Sequence, residues 1–163
     1  MSLAVAERTE PERLAQDPGG SEKVFVTLMV ANQLCGVAAL AVRDILGEQT
    51  ITRIPLAPPE VAGSLNLRGR IVTAVDLRRR LDLPRAAVGQ RPMSVVVEQS
   101  GELYALLVDQ VSEVVSLATQ KFERNPPTLP PPWADYSAGI FRLQDRLLVV
   151  LDTARLLALA PPG

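Results

Sequence analysis

Gly63-Ser64-Leu65-Asn66-Leu67-Arg68-Gly69-Arg70-Ile71-Val72-Thr73-Ala74-Val75-Asp76-Leu77 is the stretch whose reading decides the fold. It opens on a glycine turn, presents Arg68 between Leu67 and Gly69, and then runs as a strand with Ile71, Thr73, Val75 and Leu77 on one side. At Asp76 the strand gives way to a short helix over Asp76–Leu83, for which that carboxylate is a good N-cap and which Pro84 stops.

The stretch has an echo. Ala62-Gly63-Ser64-Leu65-Asn66-Leu67-Arg68-Gly69-Arg70 aligns with Ala138-Gly139-Ile140-Phe141-Arg142-Leu143-Gln144-Asp145-Arg146 at a constant offset of 76 residues (138 − 62). The match continues without a gap to Asp76 and Asp152, Arg79 and Arg155, and Leu81 and Leu157. Upstream, Val42-Arg43-Asp44-Ile45 resembles Val111-Ser112-Glu113-Val114 at an offset of 69 (111 − 42). Repeated turn, strand and cap positions point to duplication of one small all-β unit, with copies at about 24–83 and 93–159.

Outward from the repeat, the pattern is one of short strands. Val24–Val30 is β-branched and apolar on both faces, and Ala31-Asn32-Gln33 turns it into Leu34–Val42. Gln49–Ile54 follows Ile45-Leu46, and Pro55, Pro58 and Pro59 end ladder pairing there. Met93–Glu98 and Leu103–Val108 form a hairpin around Ser100-Gly101, followed by Val111–Ser116. The proline-rich Asn125–Pro132 reads as a stiff extended connector. Ala138–Leu143 and Arg146–Leu151 flank a Gln144-Asp145 turn, and Asp152–Leu159 closes the fold as a helix with Leu156 and Leu157 facing inward. Residues 1–22 read as a flexible leader and 160–163 as a tail around a domain at 23–159. Strands apolar on both faces imply two small barrels packed together that share a third apolar layer.

Composition narrows the function. Of 163 residues 47% are hydrophobic but only 4% aromatic, so the core is built from Val, Leu, Ile and Ala. A net charge of −1 gives no electrostatic case for nucleic acid, and the singly scattered Tyr104, Trp133 and Tyr136 form no stacking platform. There is no histidine, hence no Ser-His-Asp or Cys-His pair and no Cys/His metal cluster, and no phosphate-loop motif occurs. No catalytic, cofactor or metal site is expected. The lone Cys35 reads as a small buried hydrophobe, Asp76 and Asp152 as helix caps, and Arg78-Arg79-Arg80 as the solvated face of a short helix. The apolar runs are too short to span a bilayer and no signal peptide is visible, so a cytoplasmic protein with no direct membrane insertion is expected.

Arg68 remains. The second copy carries Gln144 there, so the fold does not need a cation at this position. Its guanidinium suits bidentate recognition of a partner carboxylate, and the residues alone leave a solvent-facing or locally salt-bridged arginine equally open. Asp44 and Glu113, each just after a valine in the echoing strands, read as rim charges beside apolar contacts.

The series Val42-x-Asp44-Ile45, Pro55 with Pro58, Val61-x-Gly63, Asn66-Leu67-Arg68-Gly69, Ile71-Val72-x-x-Val75-Asp76-Leu77 and Val108-Asp109-x-Val111-x-Glu113-Val114 resembles the CheW-like chemotaxis coupling-protein family. The likeness covers about Val24 to Leu159, and Asn66-Leu67-Arg68-Gly69 running into Asp76-Leu77 is its most specific part. It implies a mainly β fold of two SH3-like five-stranded β-barrels with short helices, and a non-catalytic adaptor in signalling arrays beneath the inner membrane. The implied partners are the regulatory domain of a CheA-type histidine kinase, the cytoplasmic tip of methyl-accepting chemotaxis receptors, and other CheW-like domains. Carried over, Arg68 matches the family's partner-contacting arginine within the Asn66–Gly69 element. Asp44 stands where the family usually has glutamate, and Val42, Val108 and Val111 would line apolar contact surfaces beside Glu113. The sequence departs from the family pattern in that Asp-for-Glu change and in Cys35-Gly36-Val37-Ala38. A CheW-like scaffold in a pathway for pili, biofilm or development, and a small-ligand-binding double barrel, are the alternative readings.

Overall fold

The computed structural model describes residues 21–159. Ten strands run in order as β1 (Glu22–Val30), β2 (Gln33–Ala38), β3 (Val42–Leu46), β4 (Val61–Leu67), β5 (Arg70–Asp76), β6 (Met93–Gln99), β7 (Glu102–Val108), β8 (Gln110–Ala118), β9 (Ser137–Arg142) and β10 (Leu147–Leu151). Helix α1 (Leu77–Arg80) follows β5, α2 (Pro131–Tyr136) precedes β9, and α3 (Thr153–Leu156) follows β10. Strand β1 takes up Glu22, so regular structure begins inside the expected leader; residues 1–20 of that leader and the 160–163 tail lie outside the described residues.

The strands form two five-stranded sheets, ordered β8-β1-β2-β10-β9 and β3-β6-β7-β5-β4. Each closes on itself through a bridge between its ends. Glu123, past the end of β8, pairs with Ile140 of β9, and Thr52, past the end of β3, pairs with Ser64 of β4. Closure explains two repeat-related glycines. A Cβ on Gly63 would collide with the carbonyl of Thr52, and one on Gly139 with Phe122 and the carbonyl of Glu123, so only glycine lets the ends meet. The expected strand at Gln49–Ile54 is reduced to this single bridge.

The barrels do not coincide with the two sequence copies. One is built from β3 to β7; the other joins the β1–β2 hairpin to β8, β9 and β10. Each copy thus lends its first hairpin to the other copy's last three strands, and the two sheet orders are related by exchanging the copies strand for strand. Such an exchange cannot be read locally, because every strand has the same pattern whichever partner it takes.

Three apolar layers result, as the two-faced strands imply. Leu65, Val72, Ala74, Val96 and Ala105 fill the β3–β7 barrel, while Phe25, Leu34, Phe141, Leu148 and Val150 fill the other. Between them lies the largest cluster, to which both contribute: Leu28, Val37, Val75, Val95, Leu106, Val149 and Leu156 among others. Strand β5 shows the arrangement, with Val72 and Ala74 turned into its own barrel and Val75 into the shared layer. Ile71, on the Val75 side but beyond the seam, is 70% exposed.

Both aspartates cap as expected: Asp76 Oδ1 accepts from the Arg78 N–H and Asp152 Oδ1 from the Arg155 N–H. The last two residues of the proline-rich connector, Pro131 and Pro132, open a helix rather than continuing the extended chain. Helix α2 starts with Pro131 and Pro132, positions whose N–H groups would have no helical acceptor, and it buries Trp133 in the shared layer.

Candidate partner-binding site

The β4–β5 hairpin turns through Arg68 and Gly69, with Leu67 paired to Arg70. Both turn residues have positive φ, 51° and 85°, the twist a two-residue hairpin favours, and Asn66 Oδ1 holds the turn by accepting from the Gly69 N–H at 2.9 Å. The turn lifts the Arg68 side chain clear of the barrel, 77% exposed.

Arg68 meets Asp44. Its Nη1 lies 3.0 Å from Asp44 Oδ2, while Asp44 Oδ1 accepts from the Ile45 N–H at 2.8 Å. Oδ2 is shielded from solvent and the Arg68 contact lies off the hydrogen-bond line, so the attraction is charge to charge. Arg43 is the extra residue of a bulge, since Val42 pairs with Val97 but Asp44 with Val96. The echo around Glu113 marks the matching bulge on β8, where Thr27 bonds both the N–H and the carbonyl of Glu113. In that barrel the positions matching Arg68 and Asp44 carry Gln144 and Glu113, and no ion pair joins them.

The residues singled out from sequence therefore separate into two groups. Val42, Asp44, Asn66, Arg68 and Gly69 lie on the β3–β7 barrel, while Val111 and Glu113 lie on β8 of the other. Val42 and Val111 are half-buried at the margin of the shared layer. Val108 requires a correction. It is 2% exposed inside that layer, because β7 is a central strand whose end is covered by the crossing to the second barrel, so it offers a partner almost no surface and only backs the floor of the neighbouring cleft.

The Arg68–Asp44 pair is worth little to folding, because an exposed cation gains less than about 1 kcal/mol from one partner. Arg68→Ala is accordingly expected to unfold within about 1 kcal/mol of wild type in urea, while any partner affinity that depends on the guanidinium falls. A stability loss several times larger would assign Arg68 to the scaffold.

The arginine triplet also departs from expectation. Arg79 is exposed, but Arg78 and Arg80 are largely buried cross-links between the barrels. Arg78 grips Asp109 with two bonds, Nε to Oδ1 at 2.9 Å and Nη2 to Oδ2 at 2.7 Å, and Asp109 Oδ2 also accepts from the Ala31 N–H. Asp109 is the residue at which the chain passes from β7 to β8 and so from one barrel to the other. Burial pushes its pKa up, but the Arg78 fork and the Ala31 N–H outweigh that and leave it below the ordinary carboxylate value. Arg80 donates to the carbonyls of Leu156 and Ala158, pairs with Glu60 at 3.2 Å, and lies over the Tyr136 ring. A run of three arginines gives no sign of this, because the acceptors are contributed by residues far away in the chain. Cys35 is fully buried, and burial, helped by the Asp109 charge, drives its thiol pKa far up, as befits an inert core residue.

Among the described residues no group of histidine, cysteine, aspartate and glutamate is placed to hold a metal ion, and no helix is long and apolar enough to cross a membrane. Two closed barrels thus share one apolar layer, and the Arg68–Gly69 turn stands exposed on one of them. The chain belongs to the CheW-like domain family, whose model matches residues 24–160. It is 30% identical over 146 residues to the chemotaxis protein CheW of Klebsiella aerogenes, covering 90% of this chain and 87% of that protein. It is 28% identical to the chemotaxis protein CheW of Rhizobium meliloti, covering 82% of this chain and 85% of that one. The crystal structure of the scaffolding protein TtCheW from Thermoanaerobacter tengcongensis superposes with a TM-score of 0.71 at 27% identity, covering 79% of this chain and 88% of that one. That neighbour has the same SH3-like double-barrel architecture.

Proposed function

We propose that this protein is a non-catalytic adaptor that couples methyl-accepting chemoreceptors to a CheA-type histidine kinase in a chemosensory array on the cytoplasmic side of the inner membrane. The observation that carries the reading is the Arg68 turn: a guanidinium held clear of the surface by a rigid hairpin, with a single carboxylate beside it. A partner carboxylate reaching Arg68 competes with Asp44 for a guanidinium that is still largely solvated, which favours specificity over raw affinity. The shared core and the Arg78 and Arg80 cross-links hold the two barrels as one body. A displacement of one partner is then felt by the other through binding free energy. Asn66 and Gly69 shape the turn, Val42 and Val111 supply apolar contact at the seam, and Glu113 supplies the matching charge on the other barrel.

The test is a titration of the full chain with the regulatory domain of a CheA-type kinase. Arg68→Glu places a second carboxylate beside Asp44 and is expected to weaken association by about 10–100-fold with the melting temperature unchanged. Unaltered affinity would remove Arg68 from the interface.

A further inference from the structure

Between the β3–β4 loop, helix α1 and the 84–92 loop lies a cleft of about 480 Å³, a size that suits a small ligand. Four arginines line it: Arg53, Arg78, Arg79 and Arg85. Arg78 is committed to Asp109, whereas the side chains of Arg53, Arg79 and Arg85 make no ion pair or hydrogen bond among the described residues. The acidic groups of the wall are Asp76, which caps α1, and Asp109, which Arg78 neutralises. Arg53 and Arg79 also line an adjoining hollow of about 310 Å³, so they stand between the two. The wall is therefore concave and cationic, with three unpaired arginines along it.

The sister barrel shows that this freedom is not a by-product of the repeat. Arg155 is the counterpart of Arg79 at the same offset from its capping aspartate, and it is engaged. It pairs with Asp152 at 3.2 Å and donates to the carbonyl of Asp135. Arg79 has the same spacing from Asp76 and leaves it alone.

We propose that this cleft binds a compact oligo-anion of the phosphate class, gripped by Arg53, Arg79 and Arg85. Guanidinium forks match phosphate oxygens in pairs, which ammonium groups do not. No aromatic side chain lines the cleft, so nothing stacks on a nucleobase, and the phosphate groups carry the recognition. Three cations around one hollow also suit a compact multivalent anion better than an extended acidic chain, which needs them in a strip. The inference goes beyond the adaptor reading and does not depend on it.

Isothermal titration of the full chain with inorganic pyrophosphate and with ATP at low salt tests it. Saturable binding is expected for both, within about threefold of each other because no base is read, and the Arg79→Gln, Arg85→Gln double variant is expected to weaken it at least about tenfold. Arg142→Gln, on the other barrel, should leave it unchanged, and circular dichroism should show all variants folded. Absence of saturable binding, or equal weakening by Arg142→Gln, overturns the proposal. So does a hexaglutamate peptide that binds at least about tenfold tighter than pyrophosphate, because the cleft would then belong to an acidic protein segment. A kinase titration on the same variants keeps the two readings apart: unaffected kinase affinity with lost pyrophosphate binding supports the anion site, and the reverse result overturns it.

Discussion

Asp109→Ala is expected to lower stability by about 3 kcal/mol, which for a chain of this size moves the thermal midpoint down by roughly 6–12 °C. The substitution removes three acceptor contacts at once, from Arg78 Nε, Arg78 Nη2 and the Ala31 N–H, and leaves a guanidinium that is only 17% exposed with the Pro84 carbonyl as its remaining acceptor. It also releases Ala31, which holds a φ of 49° in the β1–β2 turn, strained for a residue with a Cβ. Because the folded-state pKa of Asp109 lies below its ordinary value, its contribution is fully present above the unfolded pKa near 4 and is lost as pH falls through the folded value. The stability gap between wild type and Asp109→Ala should thus stay constant from about pH 5 to 8 and narrow below about pH 4. Thermal melts across that range measure it. A midpoint within about 2 °C of wild type at pH 7 would mean that the core alone joins the barrels.

Gly63→Ala should cost on the order of 3 kcal/mol or more, for a different reason. The added Cβ meets the Thr52 carbonyl at the point where the β3–β7 barrel closes, so either the bridge between Thr52 and Ser64 opens or the backbone distorts. Gly69→Ala provides the comparison, because its Cβ would meet nothing within 4 Å and only the positive φ of 85° opposes it. About 1 kcal/mol is expected there. Urea unfolding of the pair gives the contrast, and equal costs would show that closure is not the constraint at Gly63.

Much of this architecture is legible in the residues and some is not. The hairpin turns at Ala31-Asn32 and Ser100-Gly101, the two aspartate caps and the 76-residue echo all depend on local chemistry, and each appears where that chemistry places it, whereas the turn expected at Gly63 lies inside β4 and the chain reverses at Arg68-Gly69 instead. The third apolar layer follows from strands with no polar face. The exchange of hairpins between barrels depends on which of several similar strands pair, and no single strand encodes that choice. The same limit hid the roles of Arg78 and Arg80, whose acceptors Asp109 and Leu156 are 31 and 76 residues away. The burial of Val108 is hidden in the same way, because an apolar residue at a strand end looks alike whether solvent or a second barrel lies beyond it.

The Arg68–Asp44 pairing joins β3 to the β4–β5 turn across the two ends of one sheet, and the sequence could show only that one copy has a cation where the other has Gln144. The pair is half exposed and isolated, which makes it nearly neutral for folding and available to a partner. The fold would be kept without it.

The proposed adaptor engages a kinase and a receptor at the same time with one rigid double barrel. Sedimentation velocity of this protein with a CheA-type regulatory domain and a receptor cytoplasmic-tip fragment tests that directly. A single species containing all three is the result expected, with Arg68→Glu releasing the kinase domain from it. Mutually exclusive binding of the two partners, or a ternary species indifferent to Arg68→Glu, would contradict it.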